Sequence, residues 1–192
     1  MQVILASESP RRKQLLAATG ISFHAIPSNI DEHAFDDIPL EERPEELAFQ
    51  KAQSVAASNP DTIVIGADTI VVLDNEALNK PRNSEDACAM LRKLSGRTHH
   101  VLTGVCLVTP TQVIRFTAQA SVHFIPLTEE DIRRYVDTQE PLDKAGAYAI
   151  QGGASSFVDE IHGDYNAIVG FPIGKVMHHL WPILNHEVQK TP

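Results

Sequence analysis

The sequence predicts an α/β fold in a single domain, built on a mixed β-sheet flanked by helices. Short apolar segments rich in Val and Ile alternate with segments of helical periodicity. Residues 101–108 and 113–124 read as a hairpin across TPTQ, which adds an antiparallel pair to the helix-connected strands. No repeat and no Pro-, Gly- or Ser-rich linker divides residues 1–192. These features favour one domain, with room for two lobes, over a regular βαβ winding.

Composition excludes several classes of function. The 192 residues, 43% hydrophobic and 21% charged, are typical of a globular protein. A formal net charge of −9 argues against nucleic-acid or acidic-membrane partners, which are bound through clustered Lys and Arg. No apolar run reaches the length of a membrane span and the first residues do not resemble a secretory signal, so we expect a cytoplasmic protein. Cys88 and Cys106 lack disulfide or zinc spacing and are predicted to be reduced core residues.

Local signals predict the elements of the first half of the chain. Ser9 and Pro10 provide an N-cap and a first-turn proline for a helix that Gly20 ends. The acidic stretch 31–46 contains two prolines and is predicted to be mostly loop. The other predicted elements are strands at 2–6 and 23–30 and a helix from Pro44 through Ser58.

The second half begins with strands predicted at 62–66 and 69–73 and a turn at 74–77. Ser84 is the expected cap of a helix that ends at Gly96, and Thr128 with Asp131 has the spacing of a capping box. Apolar and polar residues alternate over 113–124, so one face of that strand should meet water. Strand-like segments at 146–153, 156–161 and 166–171, then a helix from Pro172 to near Leu184, complete the prediction.

Asp68 lies in the middle of the apolar run TIVIGADTIVVL. A buried, unpaired carboxylate is costly, so Asp68 requires a cation, a shell of hydrogen bonds or an opening to solvent. In one interpretation the strand ends at Gly66, and Asp68 with Thr69 forms an ordinary polar turn. In the other, Asp68 is a functional carboxylate.

Glu32 and Asp68 are the carboxylates most separated from balancing charges. Metal-assisted hydrolysis needs hard oxygen ligands for Mg²⁺ or Mn²⁺ and a base that takes a proton from the attacking water. Both residues are therefore candidates for catalysis and metal binding, although their spacing does not establish that they meet. The sequence has no H-E-x-x-H motif and neither a Walker-type nor a Rossmann phosphate loop.

Several cations could form an anion-binding pocket. LASESPRR places Arg12 at a helix N-terminus, where backbone N–H groups and a guanidinium attract phosphate. An ordinary Ser-Pro cap followed by solvated arginines explains the same residues. Lys51, Lys80 and Lys144 also stand where a surface role is not the sole explanation, although each alone is consistent with a snorkelling lysine.

Five blocks of the chain resemble the signature sequences of the Maf family of nucleoside triphosphate pyrophosphatases, also described as septum-formation inhibitors. They are LASESPRR (5–12), IGADTIVVLD (65–74), KPRNSEDACAMLRKLSGRTHHVLTGV (80–105), EPLDKAGAYAIQGGASSFV (140–158) and GDYNAIVGFPI (163–173). The resemblance extends over nearly the whole chain in the family's order. It implies a single Maf-like domain over residues 1–192, an elongated mixed sheet with a deep central cleft similar to that of inosine triphosphate pyrophosphatases, and a homodimer.

The resemblance also implies a reaction in which water attacks the α-phosphorus of a nucleoside triphosphate, with a divalent metal, and releases pyrophosphate. Asp68 matches the family's proton acceptor and possible metal partner, and Glu32 matches a second acidic catalytic or metal-binding group. The phosphate-site residues carried over by motif are Ser7, Arg12, Lys51 and Lys80.

Substrate choice is implied by three further matches to the family branch that acts on dTTP and UTP, namely Arg12, Thr69 and Gln151. A Gln amide offers one donor and one acceptor, which complements the O4 and N3–H of uracil or thymine. We therefore expect dTTP and UTP, and modified pyrimidine nucleotides as well, as substrates. Asn79 replaces a frequent family Gly and NAIVGFP replaces NVVGLP, but neither departure removes a charged group.

Two alternatives stay open from the sequence. One is the sister branch of the family, which acts on 7-methylated GTP. The other is a non-catalytic protein that arrests cell division by binding partners. The presence of Asp68, Glu32 and the surrounding cations speaks against a vestigial site.

Overall fold

A computed structural model describes residues 1–188 as an α/β fold with a mixed sheet flanked by helices. The strands are β1 (Gln2–Leu5), β2 (Phe23–Ala25), β3 (Thr62–Leu73), β4 (Glu76–Leu78), β5 (Thr98–Val108), β6 (Val113–Phe124) and β7 (Val158–Gly163). The α-helices are α1 (Pro10–Ala17), α2 (Arg43–Ala56), α3 (Ser84–Leu94), α4 (Glu129–Asp137), α5 (Tyr165–Val169) and α6 (Ile173–Val188). No helix in this range is both long and apolar enough to cross a membrane.

The sheet has the strand order β2-β1-β3-β5-β6-β7, with β4 paired to β3 outside this path. β1 pairs in parallel with β2 and β3, whereas β4 runs antiparallel to β3 and β7 antiparallel to β6. This combination confirms the predicted mixed α/β sheet. Contacts along the chain define two compact units. The first contains Met1–Asp68, Thr103–Ala118 and the described residues from Gly170 onward, and the second contains Thr69–Leu102 and Gln119–Val169.

The first unit has a core on each face of its strands. Because side chains alternate along a strand, β1 sends Val3 and Leu5 to one face and Ile4 and Ala6 to the other. On the first face they pack with residues of α1 and α6, and on the second with residues of α2. The second face also holds Cys106, where burial raises the pKa of the thiol to about 12. Both cysteines are free, as predicted, but only Cys106 is the core residue that was expected, because Cys88 is half-buried.

Two glycines allow α2 to lie directly on the strands of the first unit. A Cβ on Gly66 of β3 would lie 2.1 Å from the carbonyl oxygen of Ala48. A Cβ on Gly104 of β5 would lie 2.2 Å from the carbonyl group of Pro44. Any larger side chain at either position would push the helix away. Since residues two apart share a face of a strand, Asp68 also points to the face that α2 covers.

The second unit is organised around a buried aromatic cluster. His99, Phe124 and Tyr148 pack edge to face with ring centroids 5.0–5.3 Å apart. Tyr135 of α4 packs on Phe157 and accepts a hydrogen bond from the backbone N–H of Ala149. The predicted capping box at the start of α4 is present, and the alternation along β6 is confirmed by its burial pattern.

Several local predictions were wrong, including the strand predicted at 23–30, which ends at Ala25, and the turn predicted at 74–77, where β4 begins at Glu76. β3 is one continuous strand through residues 66–68, with no turn there. The side chain of Asn83 caps α3, so Ser84 is its first helical residue. The segments predicted as strands at 146–153 and 166–171 instead contain 3₁₀ turns and the short helix α5. In each of these segments the apolar residues pack in the core without continuing a strand.

Candidate active site

The side chain of Lys51 joins two carboxylates in the first unit. Its Nζ donates to Asp68 Oδ1 at 2.6 Å and lies 2.7 Å from Glu32 Oε1. Lys51 and Asp68 are buried, whereas the Glu32 side chain is 51% exposed. The structure therefore brings together three predicted site residues that are far apart in the sequence.

The position of Lys51 follows from the amphipathic pattern of α2. It stands four residues after Leu47 and four before Val55, on the helix face that packs against the strands. The close approach of α2 at Gly66 brings the lysine within reach of Asp68. Lys51 is thus a buried cation on the helix face that packs against the strands, where an apolar residue is the usual choice.

Glu32 begins a short 3₁₀ helix, Glu32–Phe35, inside the stretch predicted to be loop. Asp31 caps this helix by accepting from the backbone N–H of His33. The guanidinium of Arg43, at the start of α2, donates to the carbonyl oxygens of Asp36 and Ile38. The segment that carries Glu32 is therefore tied to the helix that carries Lys51.

Arg12 approaches the same carboxylates from α1. Its Nε donates to the carbonyl oxygen of Gly170 at 2.8 Å, and its Nη1 donates to that of Ala67 at 2.7 Å. The Ser7 hydroxyl accepts a longer contact from the same Nη1 at 3.4 Å. Burial lowers the pKa of Arg12, and the charges of Asp68 and Glu32 oppose that effect.

The charges of this group balance. Asp68 and Glu32 are acidic, and Lys51 and Arg12 are basic. Buried charges are tolerated when they are paired and hydrogen-bonded, which is the condition that Asp68 meets. The interpretation of Asp68 and Thr69 as an ordinary polar turn is therefore wrong, because Asp68 is buried within β3 and its partner is a lysine from α2.

The second unit contains the remaining candidates, Thr69, Lys80, Lys144 and Gln151. Thr69 is half-buried in β3, and Lys80 and Gln151 are exposed. The backbone N–H of Gly146 donates to the carbonyl oxygen of Asn79, which joins the segments that carry Lys80 and Lys144. Lys144 itself forms an ion pair with Asp143.

Glu140 holds the turn that follows Gln151, a contact that the sequence did not reveal. Its carboxylate accepts from the backbone N–H of Gly153 at 2.9 Å, and a Cβ on Gly152 would lie 1.9 Å from its Oε1. The glycine pair after Gln151 thus lets a carboxylate hold the turn. The spacing E-x₁₁-GG is visible in the sequence, but nothing local pairs its two ends.

The carbonyl groups of Ala67 and Gly170 were also missed. Main-chain acceptors leave no mark in residue type, and only the half-buried arginine beside them could have indicated that acceptors were needed.

The metal-binding potential of the site lies in two carboxylates. Within residues 1–188 as described, no group of three or more His, Cys, Asp or Glu side chains could hold a metal ion. Mg²⁺ commonly uses one or two protein carboxylates and completes its shell with water and substrate phosphates. Asp68 and Glu32, which already share one cation, fit that requirement.

The chain belongs to the family of Maf-like proteins, whose profile matches residues 2–182. It is 48% identical over 176 residues to a dTTP/UTP pyrophosphatase of Geobacillus sp. strain WCH70, covering 92% of this chain and 95% of that relative. It is 47% identical over 179 residues to a dTTP/UTP pyrophosphatase of Bacillus velezensis, covering 93% and 95%. These findings confirm the resemblance that the signature blocks indicated.

Among solved structures, the chain resembles a HAM1 protein from Coxiella burnetii, with 13% identity, a TM-score of 0.47 and coverage of 97% of this chain and 99% of that one. A Ham1 protein from Staphylococcus aureus gives 18% identity, a TM-score of 0.45 and coverage of 82% and 91%. Likeness at this level carries no conclusion about activity.

Proposed function

We propose that this protein hydrolyses dTTP and UTP to the nucleoside monophosphate and pyrophosphate. The relatives that support this assignment carry that activity in their names and align with more than nine-tenths of this chain. The observation that carries it is the buried Asp68, held by Lys51 beside Glu32 and Arg12. A carboxylate with cations around it suits the removal of a proton from water next to a polyphosphate.

Asp68 is the general base in this proposal. Its Oδ1 is fixed by the ammonium of Lys51, and the carbonyl oxygen of the preceding residue, Ala67, is fixed by Arg12. With its side chain held by Lys51 and the preceding main chain held by Arg12, Asp68 is oriented before substrate arrives, which lowers the cost of reaching the reactive geometry. Asp68 takes the proton as water attacks the α-phosphorus and pyrophosphate leaves.

Asp68 and Glu32 would together hold a divalent cation, Mg²⁺ or Mn²⁺. When bound there, the cation supplies Lewis-acid stabilisation of charge on the phosphate oxygens. Lys51, Arg12 and Ser7 would complement the negative charge of the phosphates. In the second unit, Lys80 is proposed as a further phosphate ligand, and Thr69 and Gln151 as readers of the pyrimidine base.

A nucleotide panel tests the assignment. The protein is incubated with dTTP, UTP, CTP, GTP and 7-methyl-GTP in the presence of Mg²⁺ or Mn²⁺, and pyrophosphate and monophosphate are quantified. We expect release from dTTP and UTP first. A preference for 7-methyl-GTP would move the protein to the sister branch, and no release from any nucleotide would favour a purely binding role.

We further propose that residues 1–192 act as a single domain in a cytoplasmic homodimer, with no nucleic-acid or membrane partner. The family resemblance and the net charge of −9 support this proposal. Light scattering coupled to size-exclusion chromatography tests the dimer, and a single cooperative unfolding transition tests the domain.

A role in division arrest is tested by expressing wild-type protein and Asp68→Asn in cells, because arrest by the inactive variant would separate partner binding from catalysis.

A further inference from the structure

Lys51 occupies the place between the two carboxylates that would share a metal. Its Nζ lies 2.6 Å from Asp68 Oδ1 and 2.7 Å from Glu32 Oε1. A divalent cation held by Asp68 and Glu32 would use the same two carboxylates that now pair with this ammonium. An ammonium group and a metal ion cannot occupy that space together.

The charge around this position is already balanced. Lys51 and Arg12 offset Asp68 and Glu32, and Arg12 is close enough for both acidic groups to act on its charge. Lys51 is buried, so water screens its charge only weakly. The attraction of Asp68 and Glu32 for a free divalent ion is therefore offset by the positive charges of Lys51 and Arg12.

We propose that Lys51 is an internal counter-cation that competes with the divalent metal for Asp68 and Glu32 and must withdraw before both carboxylates can bind it. The inference rests on the proposed metal role of these carboxylates, but not on the identity of the nucleotide. The flexible four-carbon stem of lysine allows the ammonium to withdraw. Once displaced, the ammonium needs another anion, which a polyphosphate supplies. Lys51 thereby couples metal loading to the arrival of substrate.

The test measures Mn²⁺ binding to the nucleotide-free protein, with free Mn²⁺ followed by electron paramagnetic resonance. We expect Lys51→Met to bind Mn²⁺ at least about tenfold more tightly than wild type, because a neighbouring positive charge is removed. The same variant should gain more in unfolding temperature on addition of Mn²⁺. Lys93→Met is the matched control, since Lys93 pairs with the exposed Glu76 at 3.0 Å, and its Mn²⁺ binding should equal that of wild type.

Adding Asp68→Asn to Lys51→Met should abolish the gain in Mn²⁺ affinity, which would assign that gain to this site. Equal or weaker Mn²⁺ binding by Lys51→Met would overturn the proposal. If that variant does not fold without metal, Lys51→Arg provides the second test, because it keeps a cation between the carboxylates and should bind Mn²⁺ no more tightly than wild type. Tighter binding by Lys51→Arg would also overturn it. Failure of the nucleotide panel would leave these binding results unchanged and would count against the proposed activity alone.

Discussion

The guanidinium of Arg12 grips the main chain immediately before Asp68. Its Nη1 donates to the carbonyl oxygen of Ala67 at 2.7 Å, while its Nε donates to that of Gly170 at 2.8 Å. One side chain of α1 therefore joins β3 to Gly170, which lies three residues before the start of α6. The main chain next to the proposed base, Asp68, is therefore held by a planar guanidinium, whose donor geometry no other residue type provides.

Arg12→Lys keeps the positive charge but removes the planar set of donors, so it separates the effect of the donor geometry from the effect of the charge. A single ammonium cannot serve both carbonyl oxygens, and a buried acceptor left without a donor costs about 1–3 kcal/mol. We expect the free energy of unfolding in urea to fall by that amount, and kcat/KM for dTTP to fall at least about tenfold. Arg11→Lys makes the same change one residue earlier and should leave stability nearly unaltered. Equal stability of the two variants would contradict the role of the Arg12 guanidinium.

Asp68→Asn should remove the proton acceptor while keeping the size of the side chain. Loss of a general base lowers the rate by about two or more orders of magnitude, so we expect kcat for dTTP to fall at least about a hundredfold. Asp74→Asn changes an exposed carboxylate just after the same strand, paired with Arg97, and is the matched control. Retention of more than a tenth of the activity by Asp68→Asn would assign the base elsewhere.

Gly66→Ala tests the contact between α2 and β3. The new methyl group would lie 2.1 Å from the carbonyl oxygen of Ala48 and 2.8 Å from the backbone nitrogen of Ala52, so the helix must shift. Overpacking of this kind costs about 1–3 kcal/mol, measured as a loss in the free energy of unfolding. Because Lys51 moves with α2, activity should fall as well. At Gly174 of α6 a Cβ would meet nothing within 4 Å, so Gly174→Ala should not destabilise the protein.

His99 should make the protein sensitive to acid. It is fully buried, its Nε2 is 2.8 Å from the Tyr148 hydroxyl, and its Nδ1 has no hydrogen-bond partner in the part of the chain that the structure describes. Burial, with smaller contributions from His100 and His123, lowers the pKa of His99 from 6.5 to about 4. At pH values between about 4 and 6.5, His99 therefore binds a proton in the unfolded chain but stays neutral in the folded protein. The stability from neutral His99 is complete above pH 6.5 and is lost as the pH falls toward 4.

From this shift the unfolding free energy should fall by about 2 kcal/mol between pH 7 and pH 5. Urea denaturation across that range measures the slope for wild type and for His99→Gln, which should lose most of this dependence. His100→Gln alters the exposed neighbour and should keep it. Identical slopes for wild type and His99→Gln would show that another group is responsible.

Gln151→Glu tests the proposed reading of the base. An acceptor-only carboxylate loses the donor that is proposed to pair with O4 of uracil or thymine, and it suits the donor-rich edge of guanine. We expect the ratio of kcat/KM for dTTP to that for GTP to fall at least about tenfold, mainly through activity on dTTP. Gln119→Glu introduces the same charge at an exposed position of β6 and should not change the ratio. An unaltered ratio in Gln151→Glu would remove this residue from substrate selection.

The sequence predicted the alternation along β6 and the capping box of α4 because both are local patterns. It also marked Asp68 and Glu32 as the carboxylates most separated from balancing charges, and Lys51 as a lysine for which a surface role is not the sole explanation. It did not predict that β3 passes unbroken through Asp68, because the neutralising lysine comes from a helix seventeen residues earlier. The carbonyl acceptors of Arg12 and the hydrogen bond between Glu140 and Gly153 could not be predicted either, because they too depend on contacts between distant parts of the sequence.

The contact of α2 with Gly66 and Gly104 joins main chain to main chain, and main chain has no alternative rotamers. The position of α2 relative to the strands is therefore fixed. Side-chain movement next to Asp68 is left to the flexible stem of Lys51 and to the half-exposed Glu32 on its short 3₁₀ helix. The position of a charge next to Asp68 can therefore change through the Glu32 side chain without moving the interface beneath α2.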